Sequence, residues 1–190
     1  MKEKFEKILE LASPYLKQGA KKDFVIHTQG VVKAMELLLE KEQGNEDILI
    51  PAAILHDVGW ADVPVNLQKS DQREERLEGM KLHIECAPPI VEKVLLEAGY
   101  NESDIKRIIG IIVAHKFQEN LIDAGKQLLV DADALSDAFS EQFYSDLKHY
   151  GNTPEEGYNY RKKSNQFYTK TGQEIFDKEM ENRKKEFEVQ

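Results

Sequence analysis

The sequence predicts an all-α protein, a compact helical bundle, on three observations. Apolar residues recur at helical spacing along most of the chain, whereas strand-like alternation is nowhere sustained. Residues that favour helix starts precede several of these segments. The composition, 41% hydrophobic and 32% charged over 190 residues, suits helices with one buried and one heavily charged face.

Taken in order, the first helix covers residues 2–17, with Phe5, Ile8, Leu9, Ala12 and Leu16 at helical spacing. A second runs from Asp23 to about Lys41 and turns Val25, Val32, Met35 and Leu39 inward. Gly44-Asn45 makes a turn, and Asn45 caps a third helix. Its run from Ile48 to Leu55 is apolar on nearly every face and belongs at the centre of a protein. Gly59 ends that helix. The stretch WADVPVNLQKSD reads as a loop, and DQREERLEGMKL as a short exposed helix. Pro88 and Pro89 mark the first turn of a separate helix through IVEKVLLEAG, because proline is tolerated near a helix start. NESD caps IKRIIGIIVAHK, and a further helix carries LLVDADALSDAF. From about Thr153 two charged helices follow, PEEGYNYRKKSNQFY and TGQEIFDKEMENRKKEFE. Residues 1–150 are thus expected to form the main helical domain, N-terminal helix included, and residues 151–190 an extension packed on the same core.

The net charge of -9 and pI near 5.2 exclude nucleic acid as a bulk partner, because phosphate backbones want a basic surface. They leave room for a small phosphorylated ligand in a local pocket. No apolar run approaches a membrane span, and the Glu-rich amphipathic start resembles neither a signal nor a transit peptide. The lone Cys86 forbids an internal disulfide and suits a reducing cytoplasm, the expected location. A homo-oligomer through the amphipathic C-terminal helices is the alternative to their folding back.

Five histidines are present. His27 follows DFVI, His56 follows AAIL, His83 follows MKL and His115 follows IIGIIVA, so four imidazoles on four helices sit in apolar or helix-terminal settings. Asp57 adjoins His56, and Asp131 follows the apolar run QLLV. Any one of these reads as a satisfied core histidine or a helix cap. Six together need charge compensation, because an unpaired buried charge costs several kcal/mol or neutralises itself. One or two cations would supply it, and imidazole with carboxylate suits a first-row transition metal. His56 and Asp57 point about 100° apart, so other helices must complete the ligand set, and the two oxygens of Asp57 suit it to bridging two ions about 3.5–4 Å apart. His149, in SDLKHYGN, reads as a surface residue.

This order of residues resembles the HD-domain superfamily of metal-dependent phosphohydrolases, with signature H…HD…D at His27, His56-Asp57 and Asp131. His83 and His115 lie between the pair and the last Asp, as in its binuclear members. The resemblance covers roughly residues 20–140. It implies a helical bundle with one metal held by His27, His56, Asp57 and Asp131, and a second by Asp57, His83 and His115. Asp57 and Asp131 are the catalytic carboxylates on this reading, with Asp133 a cap or supporting group. The cofactor is one or two divalent transition ions, Fe or Mn ahead of Co, Ni, Mg or Zn. The implied activity is hydrolysis of a phosphoester or phosphoanhydride of a small, nucleotide-like molecule by metal-activated water. A mixed-valent di-iron oxygenase and a non-catalytic metal- or nucleotide-binding module are the alternatives. Trp60 stands where cyclic-dinucleotide phosphodiesterases carry a lysine, and the Glu-Asp pair of the alarmone hydrolases is not found, which disfavours both groups. Lys116, Arg73, Arg76 and Arg161 are the candidates for holding phosphate oxygens, with Lys162 and Lys163 beside the last. Trp60 and Asp62 are placed at the mouth, with Trp60 expected mainly to pack under the loop. Cys86 is left outside the site as a small apolar residue.

Overall fold

The computed structural model describes residues 1–19, 24–117 and 121–188. Among these the chain is helical with no strand: α1 (Glu3–Leu16), α2 (Phe24–Leu39), α3 (Glu46–Leu55), a 3-10 turn (Val58–Asp62), α4 (Val65–Lys69), α5 (Arg73–Glu97), α6 (Glu102–Ile112), α7 (Ala124–Ser136), α8 (Ser140–Tyr150), α9 (Pro154–Ser164) and α10 (Lys170–Glu188). The predicted all-α class holds. The expected start of α2 at Asp23 lies outside the described residues.

The bundle is built around α3. Every residue from Ile48 to Leu55 is buried, as an all-apolar helix must be, and α1, α2, α6 and α7 pack around it. Asn45 caps its start by accepting the Asp47 N–H at 2.9 Å. The helices around it are amphipathic: α1 buries Phe5, Ile8, Ala12 and Leu16, and α6 buries Ile105, Ile108, Ile111 and Ile112. Asn101 caps α6 by accepting the Asp104 N–H at 3.0 Å. No helix of the described residues is long and apolar enough to cross a membrane.

Four local expectations are corrected. First, residues 73–97 form one helix rather than two, with Pro88 and Pro89 in its interior. Each ring costs about 3 kcal/mol or more there. Burial of Ile90, Val91, Val94 and Leu95 beyond the pair offsets this at about 1.5–3 kcal/mol per side chain, so tertiary packing carries the helix through. Second, α3 stops at Leu55, before Gly59. Gly59 lies in the 3-10 turn, and a Cβ there would fall 1.9 Å from the His83 carbonyl oxygen, so its role is close approach to α5. Third, the expected loop after the His-Asp pair contains that turn and α4. Fourth, α8 adds a helix that the sequence reading does not assign.

The C-terminal helices meet the core directly. Phe176 and Met180 of α10 are buried in the main cluster, and Thr171 Oγ1 donates to Glu42 across the chain at 2.5 Å.

Candidate metal centre

The elements deliver four imidazoles to one place. His27 comes from the first turn of α2 and His56 from the residue that ends α3, with Asp57 next to it. His83 comes from the middle of α5, and His115 from the turn just past α6. Burial of α3 explains why its C-terminal His-Asp pair points inward: the whole helix end is enclosed.

The Nε2 atoms of His27 and His56 lie 3.2 Å apart, and those of His83 and His115 3.5 Å apart. Asp57 stands between the two pairs. Its Oδ2 is 3.6 Å from His27 Nε2 and 3.4 Å from His56 Nε2. Its Oδ1 is 3.6 Å from His83 Nε2 and 3.9 Å from His115 Nε2. Two three-residue donor sets therefore share one carboxylate: His27, His56, Asp57 and Asp57, His83, His115.

The far side of each ring shows which nitrogen faces the cluster. His56 Nδ1–H donates to the Ala53 carbonyl at 2.9 Å, and His115 Nδ1–H to the Ile112 carbonyl at 2.5 Å. The Ser136 hydroxyl donates to the Asp133 carbonyl at 2.7 Å, so its oxygen accepts from His27 Nδ1–H at 3.2 Å. Each bond leaves Nε2 as the lone-pair donor aimed at its neighbours, the arrangement metal-bound imidazoles adopt. His83 Nδ1 is buried, and the Met80 carbonyl one turn back approaches it without hydrogen-bond geometry. Lone pairs facing one another repel unless a cation lies between them. Two nitrogens about 2.0–2.1 Å from one ion sit about 3–3.5 Å apart, so the residues present fit divalent metal ions.

Charge completes the picture. Burial opposes ionisation of Asp57, but the imidazoles of His56, His27 and His83 hold its carboxyl below the usual range. Burial, with the Lys116 charge adding to it, pushes His115 down to about 3, so its ring is neutral and free to donate at neutral pH. Burial likewise lowers His83. His27 is raised: burial disfavours its cation, but the hydrogen bond and charge of Asp133 outweigh that.

The α7 carboxylate at the cluster is Asp133, not Asp131. Asp133 Oδ1 lies 3.1 Å from His27 Nε2 and 3.9 Å from His56 Nε2, and its Oδ2 pairs with Lys116 Nζ. Burial works against its charge, yet Lys116 and His27 hold it well below the ordinary carboxylate range. Asp131 is fully buried on another flank of α7. It accepts the N–H groups of Tyr168 at 2.7 Å and Thr169 at 2.8 Å, and the Thr169 hydroxyl at 2.6 Å. Thr169 Oγ1 in turn accepts the Gly172 N–H at 2.9 Å, at the start of α10. Asp131 is thus the tie that docks the C-terminal helix.

A cleft of about 300 Å³ opens beside the cluster, lined by His27, Asp57, His83, Lys116 and Asp133 together with Phe24, Trp60 and Met80. Asp137, Gln142 and Asp146 line it as well. Of the four cations expected at phosphate, Lys116 alone lines this cleft. Arg161 is buried, donating to Asp146 Oδ2 at 2.7 Å and to the Asp137 carbonyl at 2.9 Å, and braces the wall from behind. Arg73 and Arg76 are exposed on α5, outside the lining. Lys162 pairs with Asp177 at 2.6 Å. Asp62 and His149 are exposed.

Trp60, placed at the mouth from the sequence, does line the cleft, whereas Asp137 in the lining and Ser136 behind His27 escape sequence reasoning. Trp60 stacks on His83 with ring centroids 4.4 Å apart and planes 4° from parallel, and its Nε1–H donates to Asp57 Oδ1 at 3.2 Å. Its place three residues after Asp57 is the one signal that pointed to it. Ser136 and Asp137 carry no such signal, since they look like ordinary helix-end polar residues.

No curated protein and no solved structure matches the chain. The family model described as HD domain matches residues 24–138, which contain all four imidazoles, Asp57, Asp133 and Lys116. With that match over more than half of the chain, and with the paired donor sets in place, the chain belongs to the HD domain family.

Proposed function

We propose that this chain hydrolyses a phosphoester or phosphoanhydride of a small, nucleotide-like molecule in the cleft beside the imidazole cluster. The observation that carries the reading is the division of Asp57, one oxygen to each imidazole pair. His27, His56, Asp57 and Asp133 would hold one divalent ion, and Asp57, His83 and His115 a second. Such ions supply a water of lowered pKa and neutralise charge developing on a phosphoryl group.

The chain's own residues do the rest. Lys116 stays protonated although burial opposes it, because Asp133 and Asp57 face it, and its ammonium lines the cleft where phosphoryl oxygens would lie. Asp133, held ionised, shares the first subsite with His27 and pairs with Lys116 rather than storing a proton. Asp137 lines the same cleft one turn past Asp133, and burial pushes its carboxyl up, so it is the side chain we assign to meet a leaving oxygen there. With about 300 Å³ and one cation, the cleft favours a substrate presenting one phosphoryl group at a time.

The test is phosphate release from a panel of nucleotides and small phosphomonoesters by protein loaded with Mn, Fe, Co, Ni or Mg. Turnover is expected with at least one ion. Lys116→Met should raise KM about tenfold or more, and Asp137→Asn should slow alkyl esters more than nitrophenyl esters. Tight metal binding with no phosphate released from any compound, or substrate-dependent oxygen uptake by the iron-loaded protein instead, would overturn the proposal.

A further inference from the structure

We propose that Trp60 is a positioning residue for the second subsite, Asp57 Oδ1 with His83 and His115, and that it makes this subsite and the first, His27 and His56 with Asp57 Oδ2, unequal in affinity. The inference rests on the metal-binding reading above. Three imidazoles are fixed from behind: His27 by Ser136, His56 by Ala53 and His115 by Ile112. Among these rings His83 alone lacks a well-formed hydrogen bond at its buried Nδ1, where the Met80 carbonyl makes only a loose approach. What holds its ring is the indole of Trp60, parallel to it at 4.4 Å.

The same indole acts on the shared carboxylate. Its Nε1–H reaches Asp57 Oδ1, the oxygen that faces His83 and His115, and so fixes which oxygen serves which pair. Trp60 is itself held. Phe24 lies 6.0 Å from it at 26°, and the turn that carries it is pressed on α5 at the His83 carbonyl, where only Gly59 fits. The first pair makes no comparable demand on Trp60, since His27 and His56 are oriented independently. A ligand held by well-formed backbone or hydroxyl hydrogen bonds is better preorganised than one held mainly by stacking, so the second ion is the weaker and more exchangeable one. It also follows that one face of Trp60 is taken by His83 and is not offered to a substrate base.

The test uses the full chain, stripped with chelator and titrated with Mn(II) by calorimetry. Wild type should bind two ions with distinct affinities. Trp60→Phe keeps a stacking ring and loses the N–H; it should bind the first ion as wild type does and the second about 10- to 100-fold more weakly. A second measurement needs no variant: Trp60 is the only tryptophan, so its single indole N–H resonance can be followed during Zn(II) addition. It should shift mainly with the second equivalent. An unchanged second affinity in Trp60→Phe, equal weakening of both ions, or an indole shift complete at the first equivalent overturns the inference. A wild-type protein that takes up no ion fails the reading of the site itself, which is a different result.

Discussion

Exchanging Asp131 and Asp133 one at a time for asparagine separates docking from metal binding on a single helix. Asp131 is fully buried and accepts three hydrogen bonds from Tyr168 and Thr169. In Asp131→Asn one oxygen becomes an NH2 group that faces donors, so at least one buried N–H loses its partner, at about 1–3 kcal/mol each. Burial already pushes the Asp131 carboxyl up, so part of that loss is offset by removing a buried charge. A net loss of about 2–4 kcal/mol is expected, which for a chain of this length lowers Tm by roughly 5–15 °C. The metal stoichiometry of the folded variant should stay at two. Asp133→Asn should do the reverse, leaving α10 docked while the ion shared with His27 and His56 binds about 10- to 100-fold more weakly. Thermal melts followed by circular dichroism, with metal titration beside them, decide the matter. Loss of metal from Asp131→Asn at unchanged Tm would refute the assignment.

Three further outcomes follow from the geometry. Asp57→Ala should abolish binding of both ions while His83→Ala loses mainly the one held with His115, read by metal analysis of the purified variants; equal losses would count against the shared carboxylate. In chelator, the depressed pKa of His115 means the unfolded chain takes up a proton that the folded chain refuses, so its contribution is present above about pH 6.5 and lost as pH falls towards about 3. Between pH 6.5 and 5 this steepens the fall in urea midpoint by up to about 1.4 kcal/mol per pH unit. His115→Gln should flatten the slope relative to wild type, and an unchanged slope would contradict the shift. Gly59→Ala should destabilise by about 1–3 kcal/mol or more, because its methyl group meets the His83 carbonyl at 1.9 Å. A neutral melting temperature would show that the turn and α5 separate easily.

How much of this was legible in advance depends on whether periodicity or partners set the feature. Burial of Ile48–Leu55 followed from composition alone, since a segment apolar on every face has no side to give to water. His27, His56, Asp57, His83 and His115 stood out because polar groups after apolar runs need compensation, and the structure brings all five together. Asp131 and Asp133 could not be separated that way. They stand two residues apart, about 100° to either side of the buried Ala132, so helical geometry puts one on each flank of the same inward face. Which flank met the imidazoles and which met α10 was decided by the neighbouring helices. The same holds for the proline pair within α5, where packing overrode a local preference, and for Arg161, whose charge is spent on Asp146. Sequence alone determined the all-α class, the central position of α3 and the chemistry of the donors, because those depend on each residue's own side chain and its near neighbours. Tertiary structure decided which carboxylate joins the cluster, which cation reaches the cleft and what Trp60 holds, because each of those is a property of two or more elements meeting in space.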